Sequence, residues 1–244
     1  MADIRKTEAL ILTTIRFKET SLITSTLTRN EGKIKLVAKG ARRPRSKFCG
    51  ALEPFCLDTV IFYKKEDRDL YTLSDAVVIE PFDGIRKSAR KSHGALVICE
   101  LLDRTQPAGE GDERIFGLAV YCLHVLNDSH ESDTRDVLYR FLLQSLDLLG
   151  VKPTLEKCMR CHIPITLPQK YNFSIAAGGL VCDKDFDDSV VSLQPETVNA
   201  MKALYRGTTA ILSDGSLGDI QHLLPAYFYY HLGGLRLNSL KYAK

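Results

Sequence analysis

The sequence predicts an α+β chain in which a small closed barrel of five β-strands precedes a mostly helical domain with a compact cysteine-rich insertion. Three observations carry that prediction. The first eighty residues hold five short runs rich in β-branched and aromatic side chains; the apolar period changes from 2 toward 3.6 after Pro81; and a Cys-x-x-Cys pair with a later cysteine falls between helical segments.

The five strands read Ala9 to Phe17, Leu22 to Arg29, Lys33 to Lys39, Phe55 to Tyr63 and Leu70 to Glu80. Turn material separates them: Lys18-Glu19-Thr20, Asn30-Glu31-Gly32, the long loop Gly40 to Pro54, and Lys64 to Asp69. Strands this short bury their apolar faces by closing on one another, and five of them make a barrel of the OB type. In the third run Ile34, Leu36 and Ala38 alternate with Lys33 and Lys35, so the lysines are expected to point out of the barrel.

Charge is concentrated in one place. From Arg29 to Lys47 eight basic residues face one acid, Glu31, a local balance of +7 in a chain whose net charge is +3, so the remainder carries −4. Such a footprint suits a polyanion, because each cation placed on a phosphate releases condensed counterions. The candidate DNA-binding residues are Lys33, Lys35, Lys39, Arg42, Arg43, Arg45 and Lys47, and Phe48, Tyr63 and Tyr71 are candidate stacking rings. A solvated loop and rings that serve as core are the alternatives.

Helical spacing follows in Gly84 to Arg104, Asp112 to Asn127 and Thr134 to Leu149, the last stopped by Gly150 and Pro153. Two further helices are expected at Pro195 to Tyr205 and Leu217 to Leu232, with Pro225 interrupting the second. The expected domains are 1–80, the nucleic-acid-binding barrel, and 81–244, the helical domain with a zinc-knuckle-like insertion at 153–188.

Cys158 and Cys161 form the Cys-x-x-Cys pair, and after twenty intervening residues, the last of them including Gly178-Gly179, comes Cys182. Two tight turns facing one another at this spacing suit a tetrahedral structural zinc ion. Where a fourth cysteine would stand the chain has Asp185, so the candidate ligands are Cys158, Cys161, Cys182 and Asp185, with His162 as a competing fourth. A metal-free knuckle held by its own packing is the alternative. Haem attachment at Cys158 to His162 does not fit a chain without an export signal, and the calcium-loop resemblance of Asp183, Asp185 and Asp187 fails at Asp188 and Gln194.

No phosphate-binding loop, nucleophile elbow or metalloprotease motif is present, and the six histidines are scattered. A binding protein rather than an enzyme is expected, with no nucleotide or organic cofactor. No apolar run approaches a membrane span, and the charged Met1 to Lys6 segment is no signal peptide, so the expected place is the cytoplasm. In that reducing setting Cys56, Cys99 and Cys122, all within apolar runs, read as core residues.

The Ala9-Leu10-Ile11-Leu12 strand, the Gly32 to Arg43 block, Leu52-Glu53-Pro54-Phe55, the cysteine knuckle and the Leu224 to Gly233 stretch together resemble the RecO family of bacterial recombination and repair mediators. The resemblance spans nearly the whole chain. It implies an OB-fold followed by a helical domain with a zinc knuckle, and a non-catalytic, nucleoid-associated protein. Such a protein binds single- and double-stranded DNA and anneals complementary strands. It also implies contact with the acidic C-terminal tail of single-strand binding protein, action with RecR, and an indirect role in loading RecA. The family's knuckle uses four cysteines; Cys158, Cys161 and Cys182 match, and Asp185 departs. Two other classes remain: an adaptor whose basic loop meets acidic protein tails or anionic lipid, and a nuclease with an unrecognised carboxylate site.

Overall fold

The structure, a computed structural model, describes residues 3–65, 68–166, 170–183, 190–208 and 212–242. Its first five strands are β1 (Asp3–Phe17), β2 (Ser21–Thr28), β3 (Gly32–Ala38), β4 (Leu57–Lys64) and β5 (Leu70–Glu80). β1 is long because it serves two neighbours: Asp3 to Leu10 pair with β4 and Ala9 to Phe17 with β2, both antiparallel. A register shift between Ile11 and Thr13 bends the strand from one partner to the other. The barrel closes where β3 runs parallel to β5, Lys35 opposite Leu70, Leu36 opposite Tyr71 and Val37 opposite Thr72. The resulting order, β1-β2-β3-β5-β4, is the five-stranded OB barrel that the sequence predicts. Ala9, Ile11, Ile34, Leu36, Val60, Phe62, Leu73 and Ala76 fill its interior. β1 begins six residues earlier than expected, because Asp3 to Glu8 are mostly polar yet donate and accept in the ladder with β4.

By their contacts the residues form two compact units, Met1–Thr134 with Lys241–Lys244, and Arg135–Leu240. The first holds the barrel together with α1 (Asp83–Arg86), α2 (Ala89–Thr105) and α3 (Glu113–Asp128). The single helix expected from Gly84 is two, because Ser88 breaks the run and caps α2, its side chain accepting from the Lys91 N–H. α2 covers β1 and β2: the Cys99 thiol donates to the Ile11 carbonyl at 3.8 Å and the Ser25 hydroxyl to Asp103 at 2.6 Å. Cys56, Cys99 and Cys122 are all core, and burial pushes the Cys99 thiol up to about 12. Lys91 is buried too, its ammonium donating to the carbonyls of Asn127 (3.1 Å) and Ser129 (2.6 Å). Those orphan carbonyls at the end of α3 take the place of the water a buried cation has lost.

The second unit contains α4 (Thr134–Leu148) beyond its first residue, β6 (Tyr171–Ser174), β7 (Gly179–Val181), β8 (Val190–Leu193), α5 (Pro195–Tyr205) and α6 (Asp214–His231). Phe141, Leu142 and Leu146 of α4, Val198 and Met201 of α5, and Ile220, Leu224 and Phe228 of α6 are buried. α6 is continuous through Pro225, contrary to the expected interruption, and starts earlier, where Ser213 caps it. The small antiparallel sheet, ordered β7-β6-β8, is not foreseen by the sequence: strands of three or four residues are too short to show a period.

Gly32 marks where the α2–α3 linker meets the barrel. Its φ is +66°, and a Cβ there would stand 2.2 Å from the Glu110 carbonyl oxygen. The Gly109 N–H meanwhile donates to the Lys33 carbonyl at 3.2 Å. Gly32→Ala is expected to lower the unfolding free energy by at least about 1–3 kcal/mol, the cost of a non-glycine residue in this conformation. Denaturant unfolding checks it; an unshifted midpoint would show that the linker gives way without cost.

Candidate nucleic-acid interface and metal centre

Between β3 and β4 the loop Gly40 to Pro54 is a succession of tight turns. The amides of Arg43, Ser46, Cys49 and Ala51 donate to the carbonyls three residues earlier at 3.0, 3.1, 3.2 and 3.1 Å. Its ends are pinned, the Arg42 N–H to the Thr20 carbonyl (2.9 Å) and the Phe55 N–H to the Ile11 carbonyl (2.7 Å). The Leu52 N–H donates to Asp58 at 2.9 Å, while the Leu52 carbonyl accepts from the Thr14 hydroxyl at 2.6 Å. Phe48, Ala51, Leu52 and Cys56 sink into the barrel core. With the apolar residues drawn in, Arg42, Arg43, Arg45 and Lys47 stand exposed, as do Lys35 and Lys39 on the approach.

The basic residues of this stretch divide into two groups. Arg29 is spent within the fold: Glu8 and Glu113 each lie 2.7 Å from its guanidinium, and hydrogen bonding to Glu113 first, then Glu8, raises its pKa. Lys33, expected to point outward, is half-buried and its ammonium donates to the Asp103 carbonyl. Lys47 and Arg42 donate to the neutral carbonyls of Ser74 and Glu19, contacts that orient them without cancelling charge. The one acid of the stretch, Glu31, is met by Lys64 at 2.6 Å and Arg5 at 3.7 Å rather than by the loop cations. Of the candidate stacking rings, Phe48 is only 5% exposed and belongs to the core, which removes it as a platform. Tyr63 is exposed, and Tyr71 is half-buried against Phe62, ring centroids 5.5 Å apart.

Asp58 lies beneath the loop, fully buried. One of its oxygens holds Leu52, and the other has no hydrogen-bond partner among the described residues. Burial pushes this carboxyl up, and the Leu52 N–H draws it part of the way back. The sequence carries no sign of it, since an aspartate at the start of a strand looks like a turn residue.

The cysteine knuckle is assembled by backbone pairing. Thr154 sits against β7, its N–H donating to the Gly178 carbonyl (3.0 Å) and its carbonyl accepting from Leu180 (2.9 Å). A Cβ on Gly179 would come within 2.5 Å of that Thr154 oxygen, so glycine is required there. The Met159 N–H donates to the Leu180 carbonyl at 2.8 Å, which brings the Cys-x-x-Cys turn over the end of β7. The sulfur atoms of Cys158, Cys161 and Cys182 then all lie within 4.8 Å of one another, and Cys161 and Cys182 are 3.9 Å apart. Zinc–sulfur bonds of about 2.3 Å in a tetrahedron separate sulfurs by about 3.8 Å, so the donor set fits that ion. Burial raises the Cys158 thiol, but the backbone N–H groups of Cys161, Arg160 and Cys182 directed at its sulfur together hold it below the ordinary thiol value. His162, the competing fourth ligand, is not part of the cluster, and Asp185 lies outside the described residues.

Also in the second unit, the segment Lys152 to Lys157, Pro164 and the end of α5 enclose a cavity of about 570 Å³. Pro153, Leu155 and Tyr205 give it an apolar lining, and Lys157, Lys202 and Arg206 a basic rim. These residues are some forty positions apart in the chain and share no motif.

A five-stranded OB barrel that displays a cationic loop, with a helical unit that carries a cysteine knuckle, defines a nucleic-acid-binding class of protein. The family model described as Recombination protein O N terminal matches residues 1–82, and Recombination protein O C terminal matches residues 86–241. The DNA repair protein RecO of Syntrophus aciditrophicus is 33% identical, covering 97% of this chain and 93% of that protein. The proteins of the same name from Alkaliphilus metalliredigens and Bacillus subtilis are 27% and 25% identical, over 98% and 97% of this chain. The chain belongs to the RecO family of DNA repair proteins. No helix among the described residues is long and apolar enough to cross a membrane.

Because the folded carboxyl of Asp58 binds its proton more tightly than the unfolded chain does, its contribution to stability is greatest in acid. It falls as pH rises from about 4, the unfolded value, through the higher folded one. Asp58→Asn keeps an acceptor for Leu52 and is expected to abolish that decline. Unfolding free energies across this range test it, parallel pH profiles of the two proteins being the contrary result.

Proposed function

We propose that this chain is a non-catalytic recombination mediator of DNA repair. It binds single- and double-stranded DNA, anneals complementary strands and, with RecR, helps RecA load on strands coated by single-strand binding protein, working in the cytoplasm at the nucleoid. The observation that carries the reading is the pinned loop, whose apolar residues are drawn into the barrel so that Arg42, Arg43, Arg45 and Lys47 are displayed together. Lys35 and Lys39 extend this cationic edge, and Lys33 closes its end. Clustered exposed cations on a surface loop suit contact with phosphates, which carries no sequence information, and two strands held on neutralised backbones pair. The barrel, 1–80, is the nucleic-acid-binding domain; 81–244 carries the partner sites, with the knuckle at 153–188.

The cavity beside Tyr205 supports contact with the acidic tail of single-strand binding protein, since Lys152, Lys157, Lys202 and Arg206 outnumber the one acid of its lining, Glu156, and cations complement an acidic peptide. Cys158, Cys161 and Cys182 hold a zinc ion, with Asp185 as the fourth ligand. The ion supplies a rigid cross-link between the two turns of the knuckle, and no organic cofactor takes part.

Annealing of complementary labelled oligonucleotides, bare or coated with single-strand binding protein, run in parallel with magnesium and with EDTA across a salt series, tests the mediator reading. Salt-sensitive annealing without cleavage is expected; loss of strands would point to a nuclease, and partner binding untouched by competitor DNA to an adaptor. Replacing Arg42, Arg43 and Arg45 together by Ser is expected to reduce the slope of log affinity against log salt by about 2, at about 0.7 per phosphate contact on single strands. The protein is expected to carry stoichiometric zinc, and its cobalt form a thiolate charge-transfer band. Cys158→Ser lowers the intensity of that band by at least the share of one thiolate in three, and Asp185→Ala weakens metal retention; retention unchanged in the latter removes Asp185 as a ligand.

A further inference from the structure

β3 and β5 are in register over three residues only. On the N-terminal side of that seam Arg68 and Asp69, leading into β5, line a recess together with Lys33, Ile34, Lys35 and Tyr71, while Ala108 of the α2–α3 linker bridges to Lys33. The opening is about 410 Å³, within the range of sites that seat small ligands.

We propose that this groove seats one unpaired nucleotide of a single strand, its base on the Tyr71 ring and its phosphate between Lys35 and Arg68, and that it gives the barrel a preference for single strands that the Arg42–Lys47 loop does not. The inference rests on the reading of the barrel as DNA-binding. Tyr71 is a fixed platform: its ring is stacked on Phe62, which is fully buried, with 30° between the planes. A ring held this way loses little freedom when a base packs on it. Ile34 adds apolar surface beside it, and Lys33 is tethered by its bond to the Asp103 carbonyl, so positive charge is fixed in the wall. Lys35 and Arg68 are exposed and can follow a phosphate. Asp69 in the same lining opposes a second phosphate and can accept from the N–H groups of a base edge. A base in a duplex has both faces covered by its neighbours and its edge engaged by its partner, so it cannot enter such a recess without flipping out. The exposed loop arginines meet backbone in either form of DNA, which leaves discrimination to the groove.

The test is binding of the intact protein, by fluorescence anisotropy, to three labelled probes: an oligothymidylate of about 16 nucleotides, an abasic strand of the same length, and a duplex hairpin. The abasic strand is expected to bind roughly 5- to 150-fold more weakly than the thymidylate, the range found for loss of one stacked base. Tyr71→Leu, which keeps apolar bulk against Phe62, closes that gap, and Tyr71→Phe, which keeps the ring, preserves it. Arg68→Ser weakens both single strands and spares the duplex. Equal affinity of the unaltered protein for thymidylate and abasic strands overturns the proposal without any variant, as does a gap that survives in Tyr71→Leu. The loop variant with Arg42, Arg43 and Arg45 replaced by Ser lowers binding of all three probes together. If that variant loses binding while the groove variants lose nothing, the groove inference alone falls; if the unaltered protein binds no probe, the DNA-binding reading falls and takes the groove with it.

Discussion

The short parallel pairing of Lys35, Leu36 and Val37 with Leu70, Tyr71 and Thr72 is the constraint on which the first unit depends. Without it β3 and β5 would be edge strands, with unpaired backbone groups open to water or to other chains. With it, one closed interior forms, and an interior of that size has room for side chains that do not come from strands. Phe48, Ala51 and Leu52 fill that room, and by doing so they fix the path of the loop that carries them. The display of cations is thus a consequence of core packing: once the apolar residues of Gly40 to Pro54 are drawn inward, the arginines between them have only the outer surface left.

The same logic sorts the charges. A count along the sequence treats Arg29 and Arg43 alike, whereas the fold gives Arg29 two carboxylates and the ring of Phe116 at 5.1 Å, and leaves Arg43 exposed in its turn. Glu31 would have diluted the basic stretch had it faced the loop, but it closes on Lys64 and Arg5 across the other side of the turn. With Glu31 turned away, the cations of the loop keep their charge, although Arg29, one of the eight in the stretch, is spent on the carboxylates of Glu8 and Glu113.

Much of this was legible beforehand, and the parts that were not have identifiable reasons. Strand alternation in Lys33 to Ala38 and the turn residues around it placed β3 and the basic loop, because those signals are local. Asp3 to Lys6 show no apolar period because a strand whose side chains face solvent needs only its backbone to pair. Phe48 looked like a stacking ring because a sequence shows that an aromatic is next to arginines and not which way it points. The three cysteines are recognisable from spacing, while the Cys182 amide that joins those of Arg160 and Cys161 on the Cys158 sulfur, and the requirement for Gly179 beside Thr154, arise from pairing between segments more than twenty residues apart. The groove and the cavity beside Tyr205 are each built from stretches distant in the chain, and no window of sequence contains either.

The turns of the Gly40 to Pro54 loop are fastened at both ends and through Leu52, so its shape exists before any partner arrives. Segments that fold on binding surrender ordering entropy at each encounter, and their release is correspondingly gated by unfolding. A loop already in place has neither cost. On the proposed function, strands would then arrive and leave at a pace governed by ionic atmosphere rather than by rearrangement of the protein, which is what sampling many mismatched pairings before finding a complementary one demands.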